Sequence, residues 1–103
     1  MLYLLYLLTE ITMENSHLEK ISADVQKAFL QLKTKHEVFM FLRDLLTEDE
    51  IVEFSLRFDI AKRLSAWQQY KDIEQQTWAS STTIARVAKF LKGEMGGYRK
   101  VLK

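Results

Sequence analysis

Apolar positions recur in steps of three and four through most of the chain. Leu18, Ile21, Val25, Ala28, Phe29 and Leu32 form one such stripe, with Lys20, Asp24, Gln26, Lys27 and Gln31 off it. That spacing marks a helix with one buried face. Ser16-His17-Leu18-Glu19 has the S-x-x-E form of a capping box, so the helix is expected to open there. Lys33-Thr34-Lys35-His36 reads as a connector, which makes His36 a loop residue. Residues 38–42 and then Leu45-Leu46 are apolar almost all round. A helix of that pattern must be covered on most sides, which a lone chain of 103 residues can hardly provide.

Thr47-Glu48-Asp49-Glu50 is a second capping box, with three acids on the positive end of a helix dipole. It predicts a helix reaching about Trp67. Ile51, Phe54, Phe58 and Ala61 lie on one stripe, and Val52, Leu56, Ile60, Leu64 and Trp67 on a neighbouring one. The two together suit a central helix packed on two sides. Two short helical segments come next, 70–76 and 80–91, joined by Thr77-Trp78-Ala79. Gly93, Gly96 and Gly97 then end the second, and 98–103 makes a final turn or short helix. The pattern predicts an all-α fold of five to six helices.

Composition narrows the chemistry. The chain has no cysteine, no proline and only three glycines, all beyond residue 92. Disulfide scaffolds, thiolate metal sites and cysteine nucleophiles are excluded. So is a turn-rich β-sandwich or barrel. The apolar run 1–8, MLYLLYLL, is too short for a bilayer span, which takes about 20 residues. It also lacks the basic region and cleavage site of a signal peptide. It reads as an element pinned in an interface, as an apolar arm, or as residues ahead of a natural start at Met13. Residues 1–15 are therefore set apart as an extension of a domain over 16–103. No membrane association is expected, and the expected location is cytoplasmic.

Charge is divided along the chain. Residues 1–56 carry five Lys/Arg against ten Asp/Glu, whereas 57–103 carry ten against four. A basic half fits contact with a polyanion, and it also fits a solvated helix face with chance clustering.

The segment 70–91, YKDIEQQTWASSTTIARVAKFL, has the size and rhythm of a helix-turn-helix. Ile73, Ala79, Ile84, Val87 and Leu91 fall where such a motif buries apolar side chains. Ser80 can cap the second helix. Ser81, Thr82 and Ala85 sit where base edges are reached in the major groove. Lys71, Ser80, Thr83, Arg86, Lys89 and Lys92 suit phosphate. An ordinary antiparallel helix pair shares the spacing.

Enzyme chemistry has no foothold. His17 and His36 stand far apart, with no H-x-x-x-H pair. Glu48, Asp49, Glu50 and Glu53 could be read as a cation cluster, but capping of a helix dipole accounts for them more simply. No glycine-rich phosphate loop or nucleophile elbow is present. No catalytic residue, metal or cofactor is assigned.

Two blocks resemble the tryptophan-operon repressor family. They are LLTEDEIVEFSLRFDIAKRL at 45–64 and ASSTTIARV at 79–87. The pattern is similar to the Trp-repressor-like branch typified by YerC/YecD. That branch also tends to carry Gly-Gly-Tyr after its second motif helix, here Gly96-Gly97-Tyr98, and Val-Leu near the end, here Val101-Leu102. The likeness covers about 18–103. It implies an intertwined all-helical homodimer with a DNA-reading head on each subunit, and a sequence-specific transcriptional regulator of the repressor type. A helical dimeric module without DNA binding, or a repressor gated by a small ligand, are the alternatives.

The same resemblance implies a ligand site. Arg57 and Arg86 match two arginines that sandwich the indole of the co-repressor, and Thr47 matches a residue near its amino group. Val87 stands where the family has a glycine that leaves room, and Phe90 where it has a serine that helps hold the ligand. Both are expected to fill the pocket, so L-tryptophan is not the expected co-repressor. Trp78 takes a turn position that usually carries glycine. Either the turn is rebuilt, or the indole packs over it, or the indole contacts DNA backbone or a partner.

Overall fold

The computed structural model describes residues 13–103, in which there are seven α-helices and no strand. The readings of the apolar run 1–8 fall outside the described residues. Among those described, no helix is long and apolar enough to cross a membrane. The chain divides between residues 41 and 42 into two compact units.

In the first unit, α1 (Asn15–Ile21) and α2 (Ala23–Gln31) share the stripe read from the sequence. Two expectations are corrected here. The helix opens at Asn15 with Glu14 as N-cap and no side-chain cap bond, so the Ser16–Glu19 box does not form. The stripe is also interrupted at Ser22. Its hydroxyl donates back to the Leu18 carbonyl at 2.7 Å and accepts from Gln26 Nε2 at 2.9 Å. A serine bonded to the i−4 carbonyl bends a helix. The Phe29 and Phe41 rings meet edge to face at 5.2 Å.

α3 (Lys35–Leu45) takes in the last two residues of the expected connector, and His36 is helical. The reason is a local box that the connector reading overlooked. The Glu37 amide donates to Thr34 Oγ1 at 3.1 Å, and Glu37 Oε1 accepts from the Lys33 amide at 2.8 Å. No residue of α1, α2 or α3 is buried.

In the second unit, α4 (Glu48–Ser65) opens on the expected box: the Glu50 amide donates to Thr47 Oγ1 at 3.2 Å, and Glu50 Oε1 accepts from the Thr47 amide at 2.9 Å. α5 (Tyr70–Thr77), α6 (Ser81–Lys92) and α7 (Gly97–Val101) complete the unit. The core is Ile60 and Ala61 of α4, Ile73 of α5, Ala79 of the turn, and Ile84 and Val87 of α6. Leu56, Leu64, Tyr98 and Leu102 pack around it. Ile60, Ile73, Ile84 and Val87 are fully buried, each stabilising the unit by about 1.5–3 kcal/mol relative to exposure. Only one side of α4 is covered: Val52 is 67% exposed and Phe54 49%. Among the described residues of this unit, packing on two sides is therefore not achieved.

Arg63 ties α4 to α5. It pairs with Asp59 at 3.1 Å and donates to Gln68 and to Gln76 of α5. α4 ends in a Schellman-type turn, with the Gln68 amide on the Arg63 carbonyl and the Trp67 amide on the Leu64 carbonyl. Trp67 fills its left-handed position at φ 65°, a place that glycine usually takes.

Candidate nucleic-acid interface

α5 and α6 meet through a three-residue turn, Trp78-Ala79-Ser80. α5 ends at Trp78, whose φ of 63° reverses the chain. The Thr77 hydroxyl donates to the Ile73 carbonyl at 2.6 Å and accepts from the Ala79 amide at 3.2 Å. Ala79 is buried, and Ser80 caps α6 by accepting from the Thr83 amide at 3.1 Å. The family-type turn is thus kept, not rebuilt. The indole does not pack over it either, because Trp78 is 93% exposed. A tryptophan held in that conformation costs on the order of 1 kcal/mol relative to glycine.

Ile84, Val87 and Ala88 anchor the inner face of α6, and the opposite face is free. Ser81, Thr82, Ala85, Arg86, Lys89 and Lys92 are all exposed there, whereas Thr83 is half-buried. Thr82, Arg86 and Lys89 follow i, i+4, i+7 spacing and so form one row. Ser81 and Ala85 begin a second row beside it. Lys71 is exposed in the first turn of α5. None of the ion pairs among the described residues involves Lys71, Arg86, Lys89 or Lys92. The result is a rigid helix with hydroxyls at its start and cations further along.

Beside α6 lies a cavity of about 410 Å³, lined by Arg57, Arg86, Val87, Phe90, Met95, Gly97 and Tyr98. Val87 and Phe90 line this space without closing it. Val87 turns into the core and is buried. Phe90 stays half exposed and carries the Arg86 guanidinium over its ring, 4.9 Å from the centroid. Arg57 pairs with Glu53 at 3.0 Å, and its Nε is covered without a hydrogen-bond partner.

The sequence likeness extends over this whole arrangement. The pattern of the Trp repressor protein family matches residues 20–103. The chain belongs to the Trp repressor family. It is 35% identical over 75 residues to the uncharacterised protein YerC of Bacillus subtilis (strain 168), covering 73% of this chain and 72% of that one. It also matches the crystal structure of a TrpR-like protein from Eubacterium eligens ATCC 27750, with a TM-score of 0.77 and 37% identity. That match covers 84% of this chain and 91% of that one.

Within this Trp repressor fold, Arg57 and Arg86 are brought to one cavity, but Thr47 does not line it. Thr47 is engaged in the cap of α4. Met95, Gly97 and Tyr98 are lining residues that no motif in the sequence had singled out for that role. Arg99 was missed as well: its Nη1 donates to the Leu91 carbonyl at 2.6 Å and closes the end of α6. No local signal marks that bond, because Arg99 lies beyond the end of α6 and within α7. Gly96 makes room for it, since a Cβ there would lie 3.1 Å from Arg99 Nη2 and the backbone has φ 76°.

Proposed function

We propose that this Trp repressor family member is a sequence-specific DNA-binding transcriptional regulator, a cytoplasmic repressor that acts as a homodimer. The observation that carries the reading is the outer face of α6. Its hydroxyls and unpaired cations are exposed on a helix whose inner face is locked into the core. A helix of that kind enters the major groove, with Ser81, Thr82 and Ala85 towards base edges. Lys71, Ser80, Thr83, Arg86, Lys89 and Lys92 are assigned to phosphate. An interaction module without DNA binding gives no reason for cations to gather on this face.

Selection of bound sequences from random duplex, followed by titration over salt, tests the reading. The wild type is expected to bind with a steep salt dependence. The double variant Arg86→Ala, Lys89→Ala should lose most of the affinity and flatten the slope of log K against log salt by about 0.9 for each phosphate no longer neutralised. Absence of duplex binding at low salt sinks the proposal.

The cavity favours a second reading, regulation by a small ligand. Its walls are mainly apolar, with Arg57 and Arg86 at hand for an anionic group. Tryptophan itself is a poor fit, because Arg86 already stacks on the chain's own Phe90.

A further inference from the structure

Trp78, like Trp67, is an uneconomical residue of the second unit. It holds a left-handed backbone that glycine adopts freely, and it leaves its indole in solvent. The turn around it owes nothing to the ring. Ala79 supplies the buried side chain, Thr77 supplies the bonds within the turn, and Ser80 caps the next helix. A strained, exposed, bulky residue points to a contact made outside the chain. Its position says with what. Trp78 lies two residues before the Ser80 cap, at the end of α6 where Ser81 and Thr82 are exposed.

We propose that the Trp78 indole packs against the sugar–phosphate strand that borders the major groove when the first turn of α6 is seated in it. The inference rests on the DNA-binding reading above. A flat indole covers deoxyribose with its face, and its Nε1–H is a donor only, matched to a phosphate oxygen. The cations of α6, none of them in an ion pair, would hold a polyanion beside it, and they would not hold an apolar protein patch there. Because the contact is to backbone, it raises affinity for all sequences alike.

Trp67 provides the internal control. It has the same left-handed backbone and is 92% exposed, but it borders Leu91 and Lys92 at the far end of α6. The probe is a mixed-sequence duplex of about 30 base pairs, three helical turns. Affinity is read by anisotropy and stability by thermal melting. Trp78→Gly is expected to raise the melting temperature by roughly 4 °C as the backbone relaxes. The same change should weaken duplex binding by about tenfold, the worth of one good contact. Trp67→Gly should give the thermal gain and leave affinity unchanged. In Trp67→Phe, where Trp78 is the remaining tryptophan, its emission should change on duplex addition. A merely structural Trp78 would instead lower the melting temperature when replaced.

Equal affinity of Trp78→Gly and wild type overturns the inference while leaving the DNA-binding reading standing. Wild type that binds no duplex overturns both. A Trp78→Gly defect traced by sedimentation to weaker self-association assigns the indole to a second copy of the chain and also overturns the inference.

Discussion

Arg86 illustrates how one residue can carry two meanings. In the row of α6 it is an exposed cation, and at the cavity it is a lining group stacked on Phe90. A guanidinium over an aromatic face gains about 0.5–1 kcal/mol at an exposed site. That gain opposes any ligand that must take the ring's place. Arg57 is no freer, since its Nη2 is paired with Glu53, and Thr47 is spent on the α4 cap. Neither Arg57 nor Thr47 is therefore offered to an amino group. L-tryptophan is expected to leave the melting temperature unchanged in a thermal-shift titration. A ligand present at 100 times its Kd adds about 2.7 kcal/mol to stability, so binding would be plain. A tryptophan-dependent rise would show that Phe90 gives way and that the co-repressor site is retained.

At the scale of the element, α6 depends on its first turn. Ser80 Oγ takes the Thr83 amide and lies 3.0 Å from the Thr83 hydroxyl. Ser80→Ala removes that acceptor at a cost of about 1 kcal/mol. The expected result is faster hydrogen exchange at the Thr83 amide and weaker duplex binding, with the α4 amides unaffected. Uniformly faster exchange in both helices would mean that the unit unfolds as a whole and the cap has no local effect. Ser80 was legible in the sequence because it precedes a clean apolar stripe, as was Thr47. The inner residues Ile73, Ile84 and Val87 followed from the spacing of a helix-turn-helix, and all three are buried. Ser16 misled because its signature is local, whereas the chain turns on Ser22 and its bond to the Leu18 carbonyl. Thr34–Glu37 was hidden by charged neighbours that read as loop. That a cavity remains beside Val87 and Phe90 is not legible in the sequence, because residue size does not give direction. Val87 is bulky but faces the core, and Phe90 lies under Arg86. The left-handed turns at Trp67 and Trp78 contradict local propensity, so composition alone could not place them.

At the scale of the whole molecule, burial falls short of what the sequence supplies. No residue of α1, α2 or α3 is buried, although their stripes are apolar. Leu30, Phe39, Met40, Leu45, Val52 and Phe54 are all exposed. Monomeric soluble proteins seldom leave so many large apolar groups in water. The homodimer proposed above resolves this, because interlocked helices would cover in a second chain what one chain cannot cover alone. The charge division fits as well: the basic residues concentrate in 57–103, which leaves the acidic half for self-association. Sedimentation is expected to give a species of twice the 12.2 kDa chain mass. The melting temperature should rise with protein concentration, as mass action requires when folding and association are linked. Val52→Glu with Phe54→Glu places two charges on the uncovered side of α4. The pair should shift the protein towards monomer and lower its melting temperature, and duplex affinity should fall further than either charge could cause at a distance. The last effect follows from geometry. Two recognition helices about 34 Å apart read successive turns of one groove, and a single head forfeits half of those contacts. A wild-type monomer with a concentration-independent melting temperature would remove the dimer, and the exposed apolar faces would then need another partner to cover them.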